Sequence, residues 1–541
     1  MDELKVQLLW NRLLAVVEEQ AQVLMRTAFS TVVREAGDLS AGVFDRSGRM
    51  LAQAVTGTPG HVNSMADAVA KFLAVHPLGE LRDGDVLVTN DPWDGTGHLN
   101  DFTVVTPVFV DEWCVGLFAS TSHIADVGGR GFGPDANDVF EEGLRIPISY
   151  LFRAGEPNAD LMRILQANVR DPVTAQGDLY SLTACNDAGG TALKEMLVDL
   201  QLDDLEEGGA IILERSRVAM LAKVAELPAG QYAYQMTIDG YDEPVTLAAT
   251  MSIDAQRIGV DFTGTSGASP KGINVPLSYT QAYASFGVRC IVGNEIPNNA
   301  GSLGVVEITA PEGCLVNALP PRAVSARHSI GQMLPDVVLG CLQQVVPDAV
   351  PAEGASCIWN PVFMSGLESA GENAAQTAFV INPIFNGGTG ARPGKDGLST
   401  TAFPSGVRTT SSEVNEATSP LVIWRKEYTP DSGGAGLRRG GLGQTIEVSH
   451  RQGAGFVMSK MFDRIHHPAQ GRAGGASGAP GRVYERTAGG AEVALPGKGR
   501  SEIAPGSTLV MQTPGGGGLG DPDARDPEAC AADAAAGLVS E

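Results

Sequence analysis

Two histidines 25 positions apart, each followed three residues later by an aspartate, carry the clearest chemical signal in this chain: His98 with Asp101 and His123 with Asp126. Imidazole nitrogen and carboxylate oxygen in one place suit Zn²⁺, Mn²⁺ or Fe²⁺, whereas an oxygen-only set would point to Mg²⁺ or Ca²⁺. A lone His-x-x-Asp is usually a satisfied polar pair in a tight loop. Two copies folded onto each other stand level with that plain reading.

The elements that would fold them together are two apolar runs, Phe102 to Phe109 and Cys114 to Ser120, separated by the acidic break Asp111-Glu112. Their length and β-branched or aromatic content predict strands, and the gap predicts a hairpin. Pairing about residues 110–113 sets position 101 opposite 122 and position 100 opposite 123. Asp101 and His123 then meet at the open end, with His98 just before it. Upstream, apolar residues at Leu9, Leu13, Val16, Val17, Ala21 and Leu24 predict an amphipathic helix over 2–28. A first hairpin follows, from Leu39–Phe44 through the turn Asp45-Arg46-Ser47-Gly48 to a strand beginning at Met50. The loop from Gly57 to His61 precedes a helix over 64–75 and leaves His61 within reach of the metal site, with capping or packing as its alternative role. Glu142, in the charged loop Glu141 to Pro147, is a further candidate, against the plain reading of a solvated turn.

Helical periodicity returns at 158–168, 190–201 and 210–225, then gives way to three strictly alternating segments over 232–262 that predict an antiparallel meander. Residues 278–292 and 330–346 are helical by pattern. From about 365 glycine dominates, with a run at Gly515 to Gly518, and a β-rich region with tight turns is expected. The expected fold is α+β and multi-domain, with mixed antiparallel sheets, packed helices and a glycine-rich C-terminal part. Its divisions are a metal-site domain over 1–227, an α+β domain over 228–364, a β-rich domain over 365–525 and a loose tail over 526–541.

At 541 residues the chain is too long for one ordinary core. A net charge of −25 repels phosphate backbones and anionic membranes, which argues against nucleic-acid binding. The first ten residues are acidic and do not read as a signal peptide, and no apolar run is long enough for a membrane span. Seven cysteines without a Cys-x-x-Cys spacing suggest reduced thiols and a cytoplasmic protein. The segment Thr389 to Asp396 fails as a phosphate loop, because it lacks the first glycine and the final hydroxyl and Pro393 removes an amide. No nucleophile elbow of the Gly-x-Ser-x-Gly type is present.

Several long motifs, in order, resemble the hydantoinase B/oxoprolinase family across residues 5–522. They include Asn90-Asp91-Pro92 leading to Gly97-His98-Leu99-Asn100-Asp101, His123 with Asp126-Val127-Gly128-Gly129, and Glu142 to Pro147. Asn299-Ala300-Gly301, Asp431 to Gly436, Arg439 to Gly443 and Thr513 to Gly518 complete the set. The resemblance implies a subunit of an ATP-dependent cyclic amide or imide hydrolase of hydantoinase, oxoprolinase or caprolactamase type. The substrate carbonyl would be phosphorylated in a hydantoinase A-type partner that holds ATP and magnesium. It also implies a divalent metal, zinc or manganese, on His98, Asp101 and His123, and a hetero-oligomer with two or more copies. Asp126, His61 and Glu142 are then the candidates for proton transfer or for orienting the ligands. The alternatives are a subunit of an ATP-dependent ketone carboxylase, with a small third subunit, and a non-catalytic scaffold.

Overall fold

The computed structural model describes residues 1–55, 58–365 and 379–540. Gly57 of the loop before His61, the residues directly after the expected boundary at 364/365, and the last residue of the tail lie outside them. Helix α1 (Glu3–Thr27) starts at Asp2, whose carboxylate accepts the Lys5 amide, and it buries the stripe read from the sequence. After the short α2 (Thr31–Arg34) come β1 (Leu39–Phe44) and β2 (Met50–Gln53). Helix α3 (Pro59–Val75) begins five residues earlier than its periodicity suggested. Thr58 caps it by accepting the His61 amide, and Pro59 has its φ preset for a first helical position. His61 therefore sits in a helical first turn and not in a loop.

Strands β3 (Val86–Thr89), β4 (Asp101–Val110), β5 (Trp113–His123), β6 (Ser149–Arg153) and β7 (Glu156–Pro157) complete a sheet of order β2-β1-β5-β4-β3-β6-β7. The central hairpin is buried on both faces, which is why it reads as continuous apolar runs without alternation. On one face Phe102, Val104, Val108 and Phe118 join a core with α1 and with the helix 172–200. On the other, Val105, Leu117 and Ala119 join Val62, Met65, Val69 and Phe72 of α3. Asp101 and His123 share the parity of this second set and so project toward the side that carries His61.

The register differs by one from the sequence expectation. Asp101 faces His123 directly, because a bulge between Val108 and Phe109 leaves Val115 unpaired near the turn. That single extra residue puts carboxylate and imidazole on the same face instead of opposite ones.

Helices α4 (Ala159–Asn168), α5 (Pro172–Leu200) and α6 (Glu206–Ala225) follow. α5 runs 18 residues further toward the N-terminus than its pattern suggested. Gly177, Ser181, Thr183, Asn186 and Gly189 weaken the intrinsic helical signal there, but tertiary packing overrides it. A Cβ on Gly189 would fall 2.5 Å from the Phe118 ring, and the Asn186 amide donates to Thr106 Oγ1 at 3.1 Å.

The expected meander forms as β8 (Gly230–Ile238), β9 (Val245–Ile253) and β10 (Ile258–Asp261), extended by β11 (Val306–Thr309) parallel to β10. It is backed by α7 (Leu277–Arg289) and, after the single turn α8 (Ala300–Leu303), by α10 (Leu334–Leu342). The helix expected over 330–346 is broken: α9 (His328–Gly331) stops before Pro335 and α10 restarts at Leu334.

In the C-terminal part a four-stranded and a five-stranded sheet enclose Trp359, Phe363, Ile446, Phe456, Leu509 and Met511. Beside them the glycine segments stack backbone against backbone around residues 515–518. A Cβ on Gly516 would lie 1.9 Å from Thr389 O, and one on Gly515 1.7 Å from Ser432 O. None of these four glycines has positive φ, so glycine is required there for space and not for conformation. The tail expected to be loose is held in place. Residues 527–535 are helical, and Asp533 accepts from Arg439 at 3.0 Å and from Arg525 at 2.7 Å. No helix among the described residues is long and apolar enough to cross a membrane, and all seven cysteines are free thiols.

Candidate metal centre

Asp101, fully buried at the start of β4, is the hub of the site. Its Oδ1 lies 2.6 Å from His98 Nε2 and 3.2 Å from His123 Nδ1. Its Oδ2 lies 2.8 Å from His61 Nε2, accepts the Thr96 hydroxyl at 2.9 Å, and takes a very short hydrogen bond from Arg327 Nη2. The ligand atoms of His98, Asp101 and His123 all lie within 4.8 Å of one another. The three residues that the sequence singled out as ligands therefore converge, and His61 joins them.

The protons around Asp101 Oδ1 depend on the state of the His98 ring. His98 Nδ1 faces the Ser325 carbonyl at 3.0 Å and must donate to it, so in the neutral ring Nε2 carries a lone pair. Burial first, then the Arg327 charge, pushes the His98 pKa down to about 3, so the ring is neutral. A bare nitrogen thus faces a bare carboxylate oxygen at 2.6 Å. His123 turns Nδ1 to the same oxygen, and its Nε2 is buried without a partner. Burial alone would raise the Asp101 pKa, but the neighbouring His61 and Arg327 charges hold it well below the usual carboxylate range. Two imidazoles and an ionised carboxylate converging in one buried place are a donor set that suits a transition-metal dication.

His61 behaves differently. Burial pulls its pKa down, but Asp101 and Asp38 outweigh burial and raise it overall. Its Nδ1 lies 3.4 Å from Asp38 Oδ1, close enough for ionic attraction but without a hydrogen bond. Glu142 acts at one remove. It is buried, and its Oε1 accepts the amides of Val324 and Ser325 at 2.7 Å each. It thereby fixes the backbone leading into Ser325, whose carbonyl orients His98. Burial lifts its pKa to about 8. Asp126 is not part of this cluster. It pairs with Arg170 at 2.7 Å and accepts the Gly128 amide at 3.1 Å, outside the cavity that His61, His98 and His123 line.

The sequence reading missed Asp38, Thr96 and Arg327. Arg327 comes from 226 residues beyond Asp101 and lies 3.9 Å over the Tyr279 ring. Glycines in the quoted motifs mark its place: a Cβ on Gly97 would meet Arg327 Cδ at 2.7 Å, and one on Gly60 would meet Tyr279 at 2.4 Å. His328, which carried no spacing signal, lines the same cavity, with Nε2 on Asn360 Oδ1 at 3.0 Å. Of the pair His466-His467, His467 instead meets Asp239 at 2.7 Å, away from the centre. The cavity over the centre measures about 30 Å³, room for little more than one water.

Residues 2–522 match the family model described as Hydantoinase B/oxoprolinase. The chain is 28% identical to the B component of a putative D-/L-hydantoinase from a Pseudomonas species, covering 100% of this chain and 94% of that one. It is 29% identical to 5-oxoprolinase 1 of Arabidopsis thaliana, with 96% of this chain matching 42% of that longer protein. Its fold is that of the ATP-dependent caprolactamase from Pseudomonas jessenii, at a TM-score of 0.91 and 24% identity, covering 100% of this chain and 95% of that one.

Proposed function

The chain belongs to the hydantoinase B/oxoprolinase family, and from that premise we propose that it is the metal-dependent subunit of an ATP-dependent cyclic amide or imide hydrolase. The observation that carries this reading is the convergence of His98, His123 and Asp101, whose ligand atoms all lie within 4.8 Å of one another in a buried place. A zinc or manganese ion bound there supplies Lewis acidity toward water and a carbonyl oxygen. A lactam resists water until its resonance is broken, and phosphorylation of its carbonyl oxygen in an ATP-holding partner would do this. That this chain matches only 42% of the Arabidopsis 5-oxoprolinase supports a separate partner, which would correspond to the remainder of the longer protein.

The chain's own residues would divide the work. Ser325, held by Glu142, keeps His98 in the tautomer whose Nε2 faces the centre. Arg327 and Thr96 occupy Asp101 Oδ2 and leave Oδ1 facing inward. His61, whose proton affinity Asp101 and Asp38 raise, would be the group that protonates the ring nitrogen as it leaves.

The test is to purify the chain with its ATP-binding partner, measure its metal content, and assay ATP hydrolysis coupled to ring opening of hydantoin, caprolactam and 5-oxoproline. A stoichiometric transition metal and ring opening without bicarbonate are expected. Dependence on bicarbonate with a ketone substrate would replace this reading by a carboxylase. Absence of a transition metal would favour a scaffold.

A further inference from the structure

Three groups crowd Asp101 Oδ2: the Thr96 hydroxyl, the Arg327 guanidinium and His61 Nε2. The segments that carry them all lie against one side chain, Tyr279, which is buried in the first turn of α7. Gly60 precedes His61, Gly97 follows Thr96, and Gly331 ends the single turn α9 that starts after Arg327. A Cβ on Gly60 would fall 2.4 Å from Tyr279 Cε2, one on Gly331 2.4 Å from Cε1, and one on Gly97 3.1 Å from Tyr279 Cβ. Glycine at these positions lets backbone close on both edges of the ring and on its stem. The ring is thereby wedged between α3 and α9.

Its face is a platform for Arg327. The guanidinium carbon stands 3.9 Å from the ring centroid, within stacking and cation–π range. A planar fork held flat has its donors aimed: Nε donates to Thr96 O at 2.8 Å, and Nη2 donates to Asp101 Oδ2. The first of these bonds also steadies Thr96, whose hydroxyl donates to the same carboxylate oxygen at 2.9 Å. With Oδ2 engaged in this way, Oδ1 is the oxygen left facing His98 and His123. A carboxylate freed from this clamp could rotate, and the donor set would lose its fixed third member.

Resting on the metal centre proposed above, we infer that Tyr279 is a positioning residue: its ring, acting through Arg327, holds Asp101 so that one carboxylate oxygen is presented to the cation. The test is the Zn²⁺ affinity of the full chain, measured by competition with a chromogenic chelator. Tyr279→Phe keeps the ring and should bind within threefold of wild type. Tyr279→Leu removes the platform and should weaken binding at least ~10-fold, the scale set by residues that orient a ligand. Arg327→Lys keeps the charge but loses the flat fork, and it should weaken binding about as much. Because the effect passes through Arg327, Tyr279→Leu added to Arg327→Met should change the affinity less than twofold further. A folded Tyr279→Leu variant or an Arg327→Lys variant that binds Zn²⁺ like wild type would overturn the inference. So would a Tyr279→Leu loss that persists in full beside Arg327→Met, since the ring would then act by packing alone, or a tenfold loss in Tyr279→Phe, which would move the role to the hydroxyl. Should Tyr279→Leu fail to fold, Arg327→Lys and Tyr279→Phe decide the matter. A wild-type chain that binds no Zn²⁺ would remove the centre and the inference together, an outcome distinct from equal binding by wild type and variants.

Discussion

Two buried clusters of charged side chains, built from similar residues, differ in what faces their carboxylate oxygens. In one, Arg464 reaches Glu353 at 3.0 Å and Asp336 at 2.9 Å, all three about 1% exposed. Ser356 donates to Asp336 at 2.6 Å, and Tyr234 and the Gln470 amide donate to Glu353 at 2.9 and 3.0 Å. Asp336 Oδ2 and both Glu353 oxygens each meet a group that brings its own hydrogen, while Asp336 Oδ1 and Arg464 Nε have no partner, and the cluster ties the meander region to the glycine-rich region. In the other, Asp101 Oδ1 is faced by imidazole nitrogens, one of which has already spent its proton on Ser325. Burial and charge are common to both clusters, so neither marks function. What separates them is the group facing each carboxylate: a guanidinium and hydroxyls in one, imidazole nitrogens in the other.

The contrast is broken most severely at the hub. Asp101→Asn keeps the shape but removes the charge, and it should abolish stoichiometric metal binding and lower activity by at least ~10⁴-fold. Chelation of the wild-type complex should do the same while lowering the melting temperature by only a few degrees, the mass-action effect of losing a ligand. If chelation instead unfolded the chain, the centre would be a structural one and the distinction between the clusters would collapse.

At the Arg464 cluster the order of effects reverses. Arg464→Met strands two buried carboxylates and should cost about 3–5 kcal/mol in denaturant unfolding. Adding Asp336→Asn and Glu353→Gln should recover most of that loss, because neutral partners no longer need the guanidinium. No second substitution should rescue Asp101→Asn. Failure of the triple variant to regain stability would mean that Arg464 contributes through packing more than through charge.

What could be read from the chain alone follows the same division. His98, Asp101 and His123 were legible because a hairpin is a local structure and its two apolar runs are contiguous. Even so, the bulge at Val108–Phe109 moved the register by one, since an unpaired residue leaves no periodic trace when both faces are apolar. Arg327, Asp38 and the Arg464 cluster were invisible, because their partners lie up to 226 positions away and no local pattern records them. The early start of α5 was hidden for a related reason: its small and polar residues are explained only by the sheet they lie on. The α+β character and the glycine-rich region were legible, but the role of Gly515 to Gly518 in close backbone packing was not.

Glu142 sharpens the comparison at intermediate scale, because it is a single buried carboxyl serving the metal centre from a distance. Its pKa of about 8 in the fold lies above the ordinary 4.5, so the folded chain holds a proton that the unfolded chain has lost in between. Stability from this group is therefore full below about pH 4.5 and falls as pH rises toward 8, by up to ~1.4 kcal/mol per unit. Glu142→Gln should flatten that slope in urea titrations at pH 5 and pH 8. Because the amide oxygen still accepts from Val324 and Ser325, metal affinity should drop by no more than about tenfold, at the mild end for a residue that orients a ligand. An unchanged slope would show that Glu142 is ionised in the fold.

Asp126 gives the smallest effect and the cleanest discrimination, since it repeats the His-x-x-Asp spacing without sharing the site. Its carboxylate is taken up by Arg170 and by the amides of Gly128 and Arg170, an arrangement that closes a loop and leaves no acceptor aimed at the centre. The pair is partly exposed, so solvent screens it and Asp126→Ala should cost about 1 kcal/mol, with kcat within twofold of wild type. Arg170→Ala should match it in stability if the two act as one contact, and a double variant should then cost little more than either alone. A fall in kcat of tenfold or more with Asp126→Ala, absent from Arg170→Ala, would instead give Asp126 a part in the chemistry that its position in the folded chain does not suggest.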